Sequence, residues 1–248
     1  MNIIVCISSV PDTTSKINFT ENGKKFETEG IQFVINPYDE FGLTKAMMLK
    51  EKISAKVTVI TVGNITVEPV MRKALAIGAD EAIRINMNPQ DSYSTAVAIA
   101  NYLTSNPADL IITGRESIDY NGSAVGGMLA EILSLPFINA CNGMEIDGDK
   151  VEITREIDGG KENISANLPL VIGGQKGLVQ ESELRIPNMR GIMQARTKPL
   201  QVIEPSSIEN LTESNHFEKP AEKGSCKIVS SDNVAELVDL LHNEAKVI

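Results

Sequence analysis

Three segments of this 248-residue chain carry the residue types that hold a phosphorylated ligand. The longest is Gly114, Arg115, Glu116, Ser117, Ile118, Asp119, Tyr120, Asn121, Gly122, Ser123, Ala124, Val125 and Gly126, which joins an apolar strand to an apolar helical pattern. Gly122 and Gly126 lack a Cβ and let backbone come close to a ligand. The N–H groups of Ser123, Ala124 and Val125 fall at a helix start, where free donors and the positive dipole end suit a phosphate. A strand, glycine loop and helix is also an ordinary α/β crossover, so pattern alone leaves both readings open. The second segment runs from Cys6 to Asp12 after the first strand. The third is Asn36, Pro37, Tyr38, Asp39 and Glu40, opening a helix. There is no Walker A run and no Gly-x-Gly-x-x-Gly after strand one, which speaks against an ATPase and a Rossmann dehydrogenase.

Bond-making chemistry finds little support. His216 lies in a polar stretch and His242 in a helical pattern, and neither neighbours a serine or cysteine in a nucleophile motif. Both read as surface residues. Cys6, Cys141 and Cys226 are far apart and odd in number, with no Cys-x-x-Cys pair. That pattern supports neither a disulfide framework nor a zinc site, and it fits a reducing cytoplasm. The acidic pairs Glu27/Glu29 and Asp39/Glu40 lack metal spacing and read as helix caps and solvated faces. No catalytic residue and no metal ligand is assigned.

The elements that would position these segments follow from periodicity. Short β-branched runs at Ile3–Ile7, 56–62, 81–85 and 109–113 read as strands. Helical spacing marks 38–53, 66–77, 91–103 and 123–135, with Gly78 as a C-cap and Asp91 or Ser92 opening the third helix. Strands alternating with helices of this length predict right-handed crossovers and a mostly parallel, twisted α/β sheet with helices on both faces. From 140 to 172 the pattern changes to consecutive hairpins turning at Asp147-Gly148 and Asp158-Gly159, which would extend the sheet along one edge. Regular signals then fade between Pro187 and Asp232. Residues 1–200 form the expected nucleotide-binding domain, and 201–248 an extended arm. The arm ends in a capped amphipathic helix with Val234, Leu237, Val238 and Leu241 along one stripe. An isolated helix of that length is marginal in water, so it lies on a partner chain or on its own domain.

Bulk composition sets limits. Apolar residues make up 42% of the chain, aromatics only 4%, and tryptophan is absent, so aliphatic residues and methionine fill the core. A net charge of −10 argues against a general nucleic-acid binder. No apolar run reaches about 18 residues, so no membrane insertion is expected. Met1–Val5 is too short for a signal peptide, lacks its basic leader, and reads as a strand.

One stretch runs against the acidic balance. Between Glu183 and Glu204 there is no carboxylate, while Arg185, Arg190, Arg196 and Lys198 alternate with Met189, Ile192 and Met193. A solvated loop with a short helix would look like this. A docking loop would too, since flexible methionine suits adaptable surfaces and basic rims speed encounters with acidic partners.

The segment Ile153–Ile164 (ITREIDGGKENI), followed by Pro169–Ile172, reads by itself as a charged hairpin with the positive-φ turn residues Asp158-Gly159-Gly160. In this order the residues resemble the signature of the electron-transfer flavoprotein β subunit, and Gly173 alone departs from it. The resemblance extends from Met1 past Lys198. It implies an adenine-nucleotide-binding α/β fold, and an electron carrier that is not itself an enzyme. It also implies a heterodimer whose α subunit holds FAD, takes electrons from acyl-CoA dehydrogenases in fatty acid oxidation, and passes them to a membrane quinone oxidoreductase. Carried onto this chain, it places Cys6, Asn36, Pro37, Tyr38, Asp39, Val62 and the run Gly114–Val125 against a buried AMP. Thr13 and Tyr38 fall near the flavin. Met189, Arg190, Ile192 and Met193 fall in a partner-recognition loop, with Met189 at a leucine anchor position. Some positions differ. Ser123-Ala124-Val125-Gly126 stands where respiratory members carry Asn-Gln-Thr-Gly, which removes a hydroxyl hydrogen bond worth about 0.5–1.5 kcal/mol. Valine there resembles bifurcating members, in which a second FAD takes the AMP site. Ser8-Ser9 replaces the usual Lys-Gln, and Arg190-Gly191 a common Pro-Asn. Two other classes compete: a free-standing homodimeric ATP-binding stress-type protein, and a nucleotide-dependent hydrolase or ligase.

Overall fold

The computed structural model describes residues 1–222 and 224–248. Among the described residues, thirteen strands and six α-helices follow one another. The first strands are β1 (Asn2–Cys6), β2 (Ser9–Pro11), β3 (Phe19–Thr20), β4 (Lys25–Phe26) and β5 (Phe33–Ile35). Then come α1 (Pro37–Ile53), β6 (Lys56–Val62), α2 (Glu68–Ile77), β7 (Glu81–Ile85), α3 (Ser92–Ser105), β8 (Leu110–Gly114) and α4 (Val125–Leu133). Four strands succeed them, β9 (Phe137–Asp147), β10 (Lys150–Ile157), β11 (Gly160–Asn167) and β12 (Leu170–Gly174). The chain closes with α5 (Met189–Ala195), β13 (Leu200–Ile203) and α6 (Val234–Asp239).

Nine strands form one sheet in the order β11-β10-β9-β12-β8-β1-β6-β7-β13. Every pairing from β9 through β12, β8, β1, β6 and β7 to β13 is parallel; β9, β10 and β11 form an antiparallel meander. Alternate residues of the central strands feed two separate cores. Ile3, Val5, Leu110, Ile112, Leu170 and Ile172 pack with Leu43 and Met47 of α1 and with Met71 and Leu75 of α2. Ile4, Cys6, Ile111 and Val171 pack with Ile99 and Leu103 of α3 and Leu129 of α4. A strand buried on both faces has no room for polar alternation, which is why these segments are continuous apolar runs. The α/β sheet with helices on both faces is therefore as the residues predict.

Helix ends follow local chemistry. Pro37 starts α1 with a preset φ, Asp39 and Glu40 sit in its first turn, and Lys50 and Lys52 in its last, matching the helix dipole. Gly78, at φ 146°, stops α2. Asp91 caps α3 in a reciprocal box with Ser94.

Two expectations need correction. The segment 140–172 is not a run of hairpins along one edge. β9, β10 and β11 do extend the sheet, but β12 inserts between β9 and β8, parallel to both. Leu170, Val171 and Ile172 are fully buried, and an edge position would have exposed them. The stretch after Pro187, where regular signals fade, holds α5, the short helix that the basic segment allowed, and then the unforeseen β13, which pairs in parallel with β7.

The chain divides into two compact units. One comprises Met1–Ile17 and Glu27–Asn215 and holds the nine-stranded sheet; the other comprises Asn18–Phe26 and His216–Ile248. In the second unit Phe19 stacks on Phe217 with ring centroids 5.4 Å apart, and Phe217 N–H donates to the Gly23 carbonyl at 2.7 Å. A Cβ at Gly23, whose φ is +85°, would collide with His216. The α6 stripe of Val234, Leu237 and Val238 is exposed.

The central β8 strand carries much of both cores. Ile112→Ala, at a position with no exposure, should lower the unfolding free energy by about 3 kcal/mol. Urea denaturation checks this, and a loss below about 1 kcal/mol would contradict the two-sided burial.

Candidate functional site

The sheet order places a crevice. From β1 the chain adds β6 and then β7 on one side, and then returns to lay β8 on the other side of β1. Loops leaving β1 and β8 therefore diverge at their carboxyl ends, and ligands of doubly wound sheets settle at such a point. A cleft of about 500 Å³ lies there, lined from β1 by Cys6 and Ser8, from β6 by Val62, and from β8 by Gly114 and the loop that follows.

Three residues hold the cleft floor. Asn36 is fully buried; its Nδ2 donates to the Glu116 carbonyl at 2.9 Å and its Oδ1 accepts the Ile118 N–H at 3.2 Å. Asp39 is 3% exposed and accepts the Ser8 N–H at 2.7 Å. Gly114 lies against both: a Cβ there would run into the Asp39 carboxylate and come within 2.9 Å of Tyr38 Cβ. Only glycine lets the β8 loop close onto α1.

The loop itself turns through left-handed positions at Asn121 (φ 50°) and Ser123 (φ 48°). Ser123 Oγ donates to the Arg115 carbonyl at 3.0 Å, and Asn139 Nδ2 donates to Ser123 Oγ at 3.2 Å. The N-cap of α4 is Ala124, and no side chain caps that helix. Its first-turn donors thus have no side-chain acceptor. A Cβ on Gly126 would meet Thr113 Oγ1 at 2.8 Å and the Phe137 ring at 3.0 Å, so glycine seats the helix start against the sheet.

Charge around the cleft is mostly negative. Asp39, Asp91, Glu116 and Asp119 line it, and among the described residues Arg115 is the one Lys or Arg that does. Arg115 Nη1 donates to Gln175 Oε1 at 3.2 Å, and buried Gln175 donates to Glu156 Oε2 at 2.6 Å. The hairpin strand β10 is thereby wired to the cleft loop. Arg155 of the same strand pairs with Glu162 of β11 at 2.6 Å.

Of the residues singled out from sequence, the cleft gathers Cys6, Asp39, Val62, Gly114, Arg115, Glu116, Ser117, Asp119, Tyr120, Gly122, Ser123, Ala124 and Val125. Asn36, Pro37, Tyr38, Ile118, Asn121 and Thr13 are not on its wall. Asn36 and Ile118 act from behind, through the hydrogen bond just described. The Cys6 thiol is pushed far up by burial and by the Asp39 charge, so it stays protonated and apolar. Sequence reasoning missed the Gly63, Asn64 and Thr66 loop after β6, the Asn88–Ser92 stretch after β7, and Thr212 and Ser214. The first two carry a usable signal, a Gly-Asn pair directly after β6 and an Asn-Pro pair shortly after β7. Thr212 and Ser214 carry none.

The basic methionine segment forms α5, seated on α2. A Cβ on Gly191 would strike the Ala76 carbonyl, which fixes glycine there. Arg72 Nη1 donates to the carbonyls of Ala195 (2.8 Å) and Lys198 (2.9 Å), and Lys198 Nζ donates to those of Leu75 (2.9 Å) and Ala79 (2.6 Å). Arg185 pairs with Glu51 at 2.8 Å. Two of the four cations are therefore bound internally. Arg190 and Arg196 are exposed, as are Met189, Ile192 and Met193, with Met189 at 76%.

Comparison with known proteins gives a consistent result. Residues 24–208 match the family model described as the electron transfer flavoprotein domain. The chain is 36% identical over 263 residues to the electron transfer flavoprotein subunit beta of Bacillus subtilis (strain 168), covering all of both chains. It is 33% identical over 252 residues to the subunit beta of Syntrophomonas wolfei, covering 100% of this chain and 98% of that one. The subunit beta of Dictyostelium discoideum is 31% identical over 243 residues, with 95% and 96% covered.

Asp39 makes the cleft floor sensitive to pH. Burial pushes its carboxyl up from 3.8 to about 7, against hydrogen bonds from the backbone of Ser8, the side chain of Asn36 and the backbone of Gly114. A raised carboxyl pKa means that the folded state holds the proton more tightly than the unfolded one. The resulting stabilisation is complete below pH 3.8 and disappears as pH rises through about 7. Asp39→Asn should remove this slope. Between pH 4 and 7 the wild type should lose stability relative to the variant, on the order of a few kcal/mol, in denaturation midpoints measured across pH. Parallel pH curves would show that Asp39 titrates normally.

Proposed function

The chain belongs to the electron transfer flavoprotein family as one of its β subunits, and from that premise we propose that it works as half of an αβ heterodimer. The electron carrier is the complex. Its α subunit holds FAD, and this chain completes the flavin site with residues near Thr13 and Tyr38. Flavin supplies the redox chemistry; this chain supplies placement, electrostatics and partner choice. Similarity to the β subunits along the whole chain is the observation that carries this reading.

The cleft residues fit an adenosine monophosphate as a structural ligand. A phosphate would be received by the backbone donors around Ser123, Ala124 and Val125, at a helix start that no side chain caps. One cation against the carboxylates of Asp91, Glu116 and Asp119, with Asp39 part-protonated, suits one phosphate better than a pyrophosphate or triphosphate chain, which would meet repulsion from those acids. The same charge balance favours AMP over a second FAD. Glycines at 114 and 126 let the backbone approach. Such a ligand does no redox work. It would lock the loops of β1, β6 and β8 together.

The exposed α5 face is the proposed docking site for acyl-CoA dehydrogenases, with Met189 as anchor and Ile192 and Met193 beside it. Arg190 and Arg196, which have no ion-pair partner among the described residues, would speed encounters with acidic partners. Electrons would leave towards a membrane quinone oxidoreductase. The exposed α6 stripe is the proposed contact with the α subunit. An amphipathic helix of this kind gains stability by covering such a face. No helix among the described residues is long and apolar enough to cross a membrane.

Co-expression with the α subunit should give a yellow heterodimer, and acid release of its nucleotides should yield one FAD and one AMP. Two FAD and no AMP would refute the mononucleotide reading; a colourless chain that ignores α would refute the heterodimer. In the same complex Met189→Ala should slow electron uptake from an acyl-CoA dehydrogenase about tenfold, the scale of a modest interface anchor, with flavin content unchanged. Unaltered kinetics would exclude α5 as the docking site.

A further inference from the structure

Asp91 faces two ways. Its Oδ1 accepts the Ser94 N–H at 2.7 Å and caps α3. Its Oδ2 accepts the N–H groups of Leu211 at 2.7 Å and Thr212 at 2.9 Å, with the Thr212 hydroxyl 3.5 Å away. These partners come from 120 and 121 residues further along the chain. Upstream, Asn86 Nδ2 reaches Glu204 Oε1 at 2.7 Å, Asn101 Nδ2 reaches Ser206 Oγ at 3.3 Å, and Ile208 packs against the core on the α3 and α4 face. Beyond Ile208, among the described residues, Asp91 provides the hydrogen bonds that tie residues 209–214 to the start of α3 within the first unit. Thr212 and Ser214 then line the cleft at its rim, as Asp91 itself does.

We propose that residues 208–214 form a strap that retains the nucleotide in the cleft, and that Asp91 is the positioning residue that latches it. This rests on the nucleotide reading above. Ile208 is the fixed end and Asp91 the catch. Two N–H donors converge on one carboxylate oxygen, a charge-assisted arrangement stronger than neutral hydrogen bonds. Burial raises the carboxyl, but the Ser94 N–H and hydroxyl, followed by the Thr212 and Leu211 N–H groups, outweigh it and hold the carboxyl at about 2, so the latch stays charged at any physiological pH. With the cap on Oδ1 and the strap on Oδ2, the two duties can be separated by mutation.

Asp91→Asn does so. Asparagine caps helices as well as aspartate, so its oxygen can stay with Ser94. Its NH₂ then faces the strap, and two donors meet a third. In the αβ complex loaded with radiolabelled AMP, the variant should release AMP about tenfold faster or more, the scale of losing one charge-assisted hydrogen bond. Flavin content should not change. Amide hydrogen exchange should accelerate at Leu211 and Thr212 while Ser94 stays protected. Thr212→Pro, which removes one strap donor and leaves Asp91 in place, should also speed release. AMP release at the wild-type rate in both variants, despite an exposed Leu211 amide in each, would overturn the strap and leave the nucleotide reading standing. Unchanged exchange at those amides in Asp91→Asn would overturn the latch. A wild-type complex that holds no AMP would overturn the nucleotide reading, and the strap with it.

Discussion

The cleft depends on one buried carboxylate. Asp39 draws in the backbone of Ser8 after β1 and of Gly114 after β8, and does so from the first turn of α1. These three segments are remote in sequence and meet only because the chain doubles back across β1. A buried charge is costly unless hydrogen bonds satisfy it. Here they come from both sides of the crevice, so Asp39 is stable only when the crevice walls are in register. Asn36 extends the same logic to the next loop through Glu116 and Ile118. The missing side chain of Gly114 is then a steric necessity.

From that knot, polar contacts lead outward to the β10 hairpin. Arg115 leaves the cleft loop, Gln175 relays to Glu156, and Glu156 sits on the strand that carries the family signature. The charged residues that looked like a solvated hairpin tip divide accordingly. Arg155 and Glu162 tie β10 to β11, whereas Glu156 is directed inward. Likewise α5 keeps Lys198 and the backbone ends of its turn bonded to α2, which leaves its methionines on a rigid base. A rigid scaffold under flexible methionine side chains suits the docking role proposed for this helix.

Much of this was legible in the residues, for identifiable reasons. β6 and β7 match the runs read from sequence, because short β-branched stretches bounded by turn residues mark buried strands even where Thr58, Thr61 or Arg84 interrupts them. The α3 start was visible in Asp91, since capping uses few residue types; its reciprocal partner Ser94 was not read from sequence. β12 misled because hairpin turns announce only local pairing. Its true neighbour β8 lies over fifty residues upstream, and nothing local records that. α5 is short and stabilised by Arg72 and by contact with α2, both tertiary effects that periodicity cannot register. In the cleft, the loops nearest strand ends were readable from glycine and proline. The strap residues were not, because a Leu-Thr pair has no distinguishing composition and acquires its place only from a distant carboxylate.

The sheet ends on one side in β11, an eight-residue strand with a free edge. Unpaired strand edges are templates for another copy, and proteins commonly guard them with charge. Lys161 and Glu162 lie near its start, but Asn163 to Asn167 carry no charge at all. Among the described residues nothing pairs with that margin, so it is open to edge-to-edge polymerisation between copies of this chain.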